Sequence, residues 1–116
     1  MNIFGDAEYT FCIWSERLDW RGDITVPIEP VALDSGLRSD LESMLASLGL
    51  TMGIFDLKID TSGQPIFLEL NPQGQFLFLE GLTGAPLTDA FAEFLYDRLV
   101  TPTTRSARPV EAARYT

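Results

Sequence analysis

The sequence predicts an α+β fold, an antiparallel sheet with two main amphipathic helices packed on it. Three observations carry that expectation. Residues 51–60 and 65–71 alternate apolar and polar side chains on either side of a short turn, which is the pattern of a β-hairpin. Leu37, Leu41, Met44, Leu45 and Leu48 fall on one helical stripe. Leu87, Phe91, Phe94, Leu95 and Leu99 form a second such stripe, facing inward.

In chain order, residues 8–15 are rich in β-formers and read as one strand. Asp19-Trp20-Arg21-Gly22-Asp23 follows as a loop, and residues 24–30, with Pro27 and Pro30, are extended. Asp34 or Ser35 caps a helix that runs to Leu48, where Gly49 supplies a left-handed stop. The hairpin comes next, with Thr61-Ser62-Gly63-Gln64 as a four-residue turn. Asn71-Pro72-Gln73-Gly74-Gln75 is a sharp loop in which Gly74 either permits a backbone conformation near a ligand or completes a turn. Phe76 to Leu79 is apolar and reads as buried, helix or strand alike. The second helix spans 87–99, with Thr88 as its cap. Residues 1–99 form the folded domain, and the Thr/Pro/Arg/Ala-rich segment 100–116 reads as a disordered tail.

Composition narrows the function. Apolar residues make up 46% of the 116, enough for a core in a small single domain. The net charge of −9, from 17 acids against 8 bases, argues against nucleic acid, whose phosphates need a basic face. The complete absence of His excludes a Ser-His-Asp triad or a Cys-His pair within the chain. Cys12 is the single cysteine, which leaves no internal disulfide and no cysteine zinc site, and it reads as a buried structural residue. No apolar run approaches the roughly 20 residues of a membrane span. The acidic start does not resemble a secretory signal, so the expected location is cytoplasmic. Any chemistry must come from carboxylates, Arg, Lys, amides, or a bound metal and nucleotide.

The hairpin is where that chemistry concentrates. A four-residue turn pairs Asp60 with Pro65, Lys58 with Phe67, Asp56 with Glu69 and Ile54 with Asn71. Asp56 and Lys58 then share a face with Phe67, Glu69 and Asn71, while Phe55, Leu57, Ile59, Ile66, Leu68 and Leu70 form the core face. Two carboxylates directly opposite one another destabilise a sheet by about 0.2–1 kcal/mol and call for compensation. Lys58, diagonal to Glu69, offers part of it. A divalent cation offers more, and the all-oxygen set Asp56, Glu69 and Asn71 suits Mg²⁺ or Mn²⁺ rather than zinc. The alternative is an exposed hairpin face with a Lys–Glu diagonal pair, and the spacing alone leaves both open. Likewise Arg21 either binds phosphate through its guanidinium fork or pairs with Asp19 or Asp23.

Three segments carry a resemblance. Gly53-Ile54-Phe55-Asp56-Leu57, Phe67-Leu68-Glu69-Leu70-Asn71-Pro72-Gln73-Gly74-Gln75 and Leu79-Glu80-Gly81-Leu82-Thr83-Gly84-Ala85-Pro86-Leu87 resemble the C-terminal subdomain of ATP-grasp ligases. The nearest branch is the microviridin or graspetide type of ribosomal-peptide maturase, which is similar also in Asp19-Trp20-Arg21, and the resemblance covers about residues 3–99. It implies that Asp56, Glu69 and Asn71 ligate Mg²⁺ bridging the phosphates of ATP, and that Arg21 acts catalytically on a phosphate or acyl-phosphate oxygen. The implied reaction activates a side-chain carboxylate of a precursor peptide and closes an ester or amide crosslink. The glycine-rich loop and phosphate-binding lysines of that family are missing here, and Lys58 is the one lysine. The chain therefore looks like a truncated or split product that needs the N-terminal and central ATP-grasp part in cis or trans. Alone it is expected to bind little ATP and to catalyse nothing. The resemblance also implies a possible homo-oligomer. The competing expectation is a non-catalytic remnant that binds a peptide or partner. A plain acidic α+β domain unrelated to nucleotides is a third.

Overall fold

The computed structural model describes residues 1–101. The expected tail lies outside the described residues apart from Val100 and Thr101, and Val100 is still helical. Six strands run in chain order as β1 (Asn2–Phe4), β2 (Ala7–Tyr9), β3 (Phe11–Ile13), β4 (Ile28–Pro30), β5 (Met52–Ile59) and β6 (Pro65–Asn71). The helices are α1 (Ser35–Ser47), α2 (Leu77–Thr83) and α3 (Leu87–Val100). One four-stranded antiparallel sheet has the order β2-β1-β5-β6, and β3 pairs with β4 in a separate two-stranded sheet. The α+β expectation stands, with a third helix added.

The expected single strand over 8–15 is two strands in two sheets. At Thr10 the backbone changes partner: its carbonyl accepts from the Val31 amide at 2.9 Å, outside the ladder that holds β2 against β1. Propensity marks both halves as extended, but it carries no information on which neighbour each half chooses.

The central sheet is covered on both faces. Met1, Ile3 and Phe55 pack under Leu41 and Leu45 of α1. On the other face Phe4, Met52 and Ile54 pack under Phe76, Leu79, Leu87 and Ala90. Period-2 alternation therefore separates two cores along β5, with Gly53 and Phe55 facing one and Met52 and Ile54 the other. Helix α1 follows its sequence signals closely. Asp34 caps it by accepting from the Gly36 and Leu37 amides at 2.9 and 3.1 Å, and Gly49 ends it at φ 69°.

Helix α3 departs from expectation twice. Its first turn is not capped by Thr88; the Thr88 amide donates instead to Glu80 of α2 at 2.6 Å. Its inward face is Leu87, Ala90, Phe91 and Phe94, whereas Leu95 and Leu99 are 46% and 84% exposed. An apolar stripe records only that a helix could be covered along its length. Here the cover ends near Phe94.

Candidate functional site

The site is built on the β5–β6 hairpin. Ile54 pairs with Asn71, Phe55 with Leu70 and Asp56 with Glu69, as the spacing predicts. Nearer the turn the register shifts by one: Leu57 faces Phe67, Lys58 faces Ile66 and Ile59 faces Pro65. The expected Asp60–Pro65 and Lys58–Phe67 pairs do not form. The physical cause is Asp60, which leaves the strand to organise the turn. One of its carboxylate oxygens accepts from the Ser62 amide at 2.8 Å, the Ser62 hydroxyl at 2.7 Å and the Gln64 amide at 2.8 Å. The turn thereby grows to five residues, and a bulge at Leu68 absorbs the difference. Those hydrogen bonds, the Ser62 hydroxyl first, hold the Asp60 carboxyl below its ordinary value.

The bulge also removes Lys58 from its expected role. Among the described residues no ion pair includes Lys58, Asp56 or Glu69. Two carboxylates thus stand side by side on an exposed strand pair with no basic side chain bonded to them. Asn71 lies two residues beyond Glu69 and so on the same face. Its Oδ1 accepts from the Gln73 amide at 3.0 Å.

Arg21 sits in a 3-10 turn, Trp20–Gly22, where a loop is expected. Trp20 anchors this turn to α2, its ring centroid 5.8 Å from that of Phe78. Asp19 grips Arg21 with two side-chain bonds, Nε to Oδ1 at 2.8 Å and a terminal nitrogen to Oδ2 at 3.3 Å. That grip is the main reason the guanidinium holds its proton more firmly than usual, and the fields of Asp56 and Glu69 add to it. Asp19 is held below the usual carboxylate range by the same bond. Of the two flanking carboxylates, Asp19 forms the pair with Arg21 and Asp23 forms none among the described residues, while Asp56 and Glu69 are near enough to be felt.

No group of three or more His, Cys, Asp or Glu side chains is placed to hold a metal ion among the described residues. The donor set is two carboxylates and one amide oxygen. This fits Mg²⁺, which commonly takes one or two carboxylates and completes its shell with phosphate oxygens and water. The site is also open. Recesses of about 490 and 340 Å³ flank the β1–β2 turn around Gly5 and Asp6, and neither is lined by Arg21, Asp56, Glu69 or Asn71.

A solved structure matches this fold. The chain is similar to part of a macrocyclase. Against the crystal structure of macrocyclase MdnC bound with precursor peptide MdnA from Microcystis aeruginosa MRC, the TM-score is 0.69 and the identity 31%. The match covers 83% of this chain and 32% of that one, so this chain spans about a third of its length. No family model and no curated protein matches. The likeness supports the relation to ATP-grasp peptide maturases that the motifs carry, and no helix among the described residues is long and apolar enough to cross a membrane.

The contacts of two residues, Glu80 and Asn2, are not foreseen by the sequence pattern. Glu80 belongs to a segment that resembles that family, yet its contact is architectural: it caps α3 by accepting from the Thr88 amide, while the Thr83 hydroxyl donates to the Leu79 carbonyl and Gly84 takes φ 75°. Asn2 is fully buried opposite Ile54, donates to the Tyr9 carbonyl at 3.0 Å, and leaves its Oδ1 without a partner among the described residues. A single Asn inside an apolar run was the only signal for it.

Proposed function

We propose that this chain supplies the metal-holding wall of an ATP-dependent carboxylate ligase that crosslinks a ribosomal peptide. The observation that carries the reading is the Asp56–Glu69 pair, retained on a strand pair without a bonded counter-ion. Asp56, Glu69 and Asn71 would hold Mg²⁺, or Mn²⁺, against the phosphates of ATP. The metal would neutralise charge on the transferred phosphoryl group and hold it in line. Arg21, oriented by Asp19, binds a phosphate or acyl-phosphate oxygen. ATP phosphorylates a side-chain carboxylate of the precursor peptide and leaves as ADP. A peptide hydroxyl or amine then attacks the acyl carbon, loses its proton, and expels phosphate, leaving an ester or amide. The glycine-rich loop and the phosphate-binding lysines come from an N-terminal and central part, in cis or in trans.

The test is reconstitution. The chain is co-expressed with an ATP-grasp part that lacks this region, and the precursor peptide is weighed by mass spectrometry for ATP-dependent loss of water. The reconstituted pair should crosslink and the 116-residue chain alone should not. Asp56→Asn should lower the reconstituted rate by about 10²–10³-fold, the scale for losing one group that stabilises transition-state charge. Full Mg²⁺-dependent activity with Asn at position 56 would remove the metal role.

A further inference from the structure

We infer that Gly74 is a positioning residue for the Asn71 amide, and that its lack of a side chain sets where the Asn71 oxygen points. The inference rests on the metal reading above for its functional meaning, but its geometry is independent of it. The loop after β6 folds back on its own start. The Gln73 amide donates to Asn71 Oδ1 at 3.0 Å, which identifies the oxygen and turns Nδ2 the other way. Gly74 then closes over the amide. A Cβ built at position 74 would stand 3.2 Å from both Asn71 Cγ and Nδ2, and 2.9 Å from Ile54 Cδ1.

Glycine is needed here for space rather than for backbone conformation, because the positive-φ residues are Gly5, Gly49, Gly63 and Gly84. The two neighbours that an alanine would meet are unequal. Ile54 Cδ1 is the terminal methyl of a half-buried side chain, and its last torsion can turn that methyl aside while the rest stays packed in the core. The Asn71 amide is pinned by Gln73 on one side and lies against Gly74 on the other, so relief at position 74 requires the amide itself to turn. Turning it moves Oδ1, with the lone pair that the Gln73 bond leaves available. The loop thus acts as a clamp with two jaws, one a hydrogen bond and one a bare Cα, and the amide is held in a single orientation between them.

The test separates packing from positioning. Gly74→Ala is made alone and together with Ile54→Val, which removes Cδ1 and so deletes the tightest contact while leaving the one with Asn71. The double variant also keeps the test open if the single variant does not fold. Two signals are read on the chain: the ¹⁵N side-chain amide resonance of Asn71, assigned by its disappearance in Asn71→Ala, and Mn²⁺ affinity from the free-ion EPR signal. In both Gly74 variants the Asn71 resonance should move and gain fast motion. Mn²⁺ affinity should fall about 10–100-fold, the range for residues that orient a metal ligand. An unmoved Asn71 resonance overturns the inference, and so does a double variant that recovers the wild-type signal and affinity, since Gly74 is then a packing residue only. If Asp56→Asn and Asn71→Ala leave Mn²⁺ affinity unchanged, the metal reading falls, and the amide resonance alone decides the positioning.

Discussion

The two ends of the β5–β6 hairpin belong to one ladder but are held by different forces. At its root, Phe55 and Ile54 are locked into cores on opposite faces of the sheet, and Asp56–Glu69 and Ile54–Asn71 take the register that this packing dictates. At its tip, Ile59, Ile66, Phe67 and Leu68 are each about half exposed, at 57%, 46%, 46% and 58%, and the register follows the hydrogen bonds of Asp60. The bulge at Leu68 reconciles the two. Burial fixes which residues meet at the root, where the candidate site lies, and local hydrogen bonding fixes the turn where nothing else does.

This contrast can be broken from the root first. Phe55→Ala removes a side chain that is 1% exposed, and unfolding experiments should show a loss of about 3–5 kcal/mol. A loss under about 1 kcal/mol would mean that the root is not what holds the sheet. Asp56→Asn or Glu69→Gln relieves like-charge repulsion across the ladder. The metal-free chain should gain about 0.2–1 kcal/mol of stability while losing Mn²⁺ affinity. Lower stability in both variants would show that the pair is compensated within the chain.

The tip gives smaller effects. Asp60 is held below its ordinary value of 3.8, so its stabilisation is complete above that pH and is lost as pH falls through the lower folded value. Thermal melts of wild type and Asp60→Asn should therefore converge as pH falls below 3.8 and separate above it. A constant offset across the range would place the role of Asp60 in shape rather than charge. Phe67→Ala, the mildest change, should cost under about 0.5 kcal/mol. A cost comparable to that of Phe55 would mean that the tip is covered in solution.

Much of this was legible in the sequence. Helix α1 announces itself through an Asp cap, a four-residue apolar rhythm and a terminal glycine, all local signals. The Asp56–Glu69–Asn71 set was legible because alternation and a short turn leave few registers for the root. Asp60 was misassigned because the competition between strand pairing and side-chain capping is settled by several weak bonds at once, none visible in a pattern of polarity. The second core was missed because Ile54 shares a face with Asp56 and Asn71, and a face that carries carboxylates does not read as buried. The switch at Thr10 and the bare end of α3 depend on neighbours far away in sequence. Whether Arg21 pairs with Asp19 or with Asp23 lay open in Asp-Trp-Arg-Gly-Asp, because a residue pattern does not select between two flanking carboxylates; the pair that forms is with Asp19.

The bulge at Leu68 has a practical corollary for anyone modifying this chain. It behaves as a slip joint, taking up a residue of mismatch between two segments that need not agree in length. Loop grafts, affinity tags or fluorescent reporters placed at Ser62–Gly63 should leave the Asp56–Glu69 alignment untouched. The same insertion made between Glu69 and Gly74 has no such joint to absorb it.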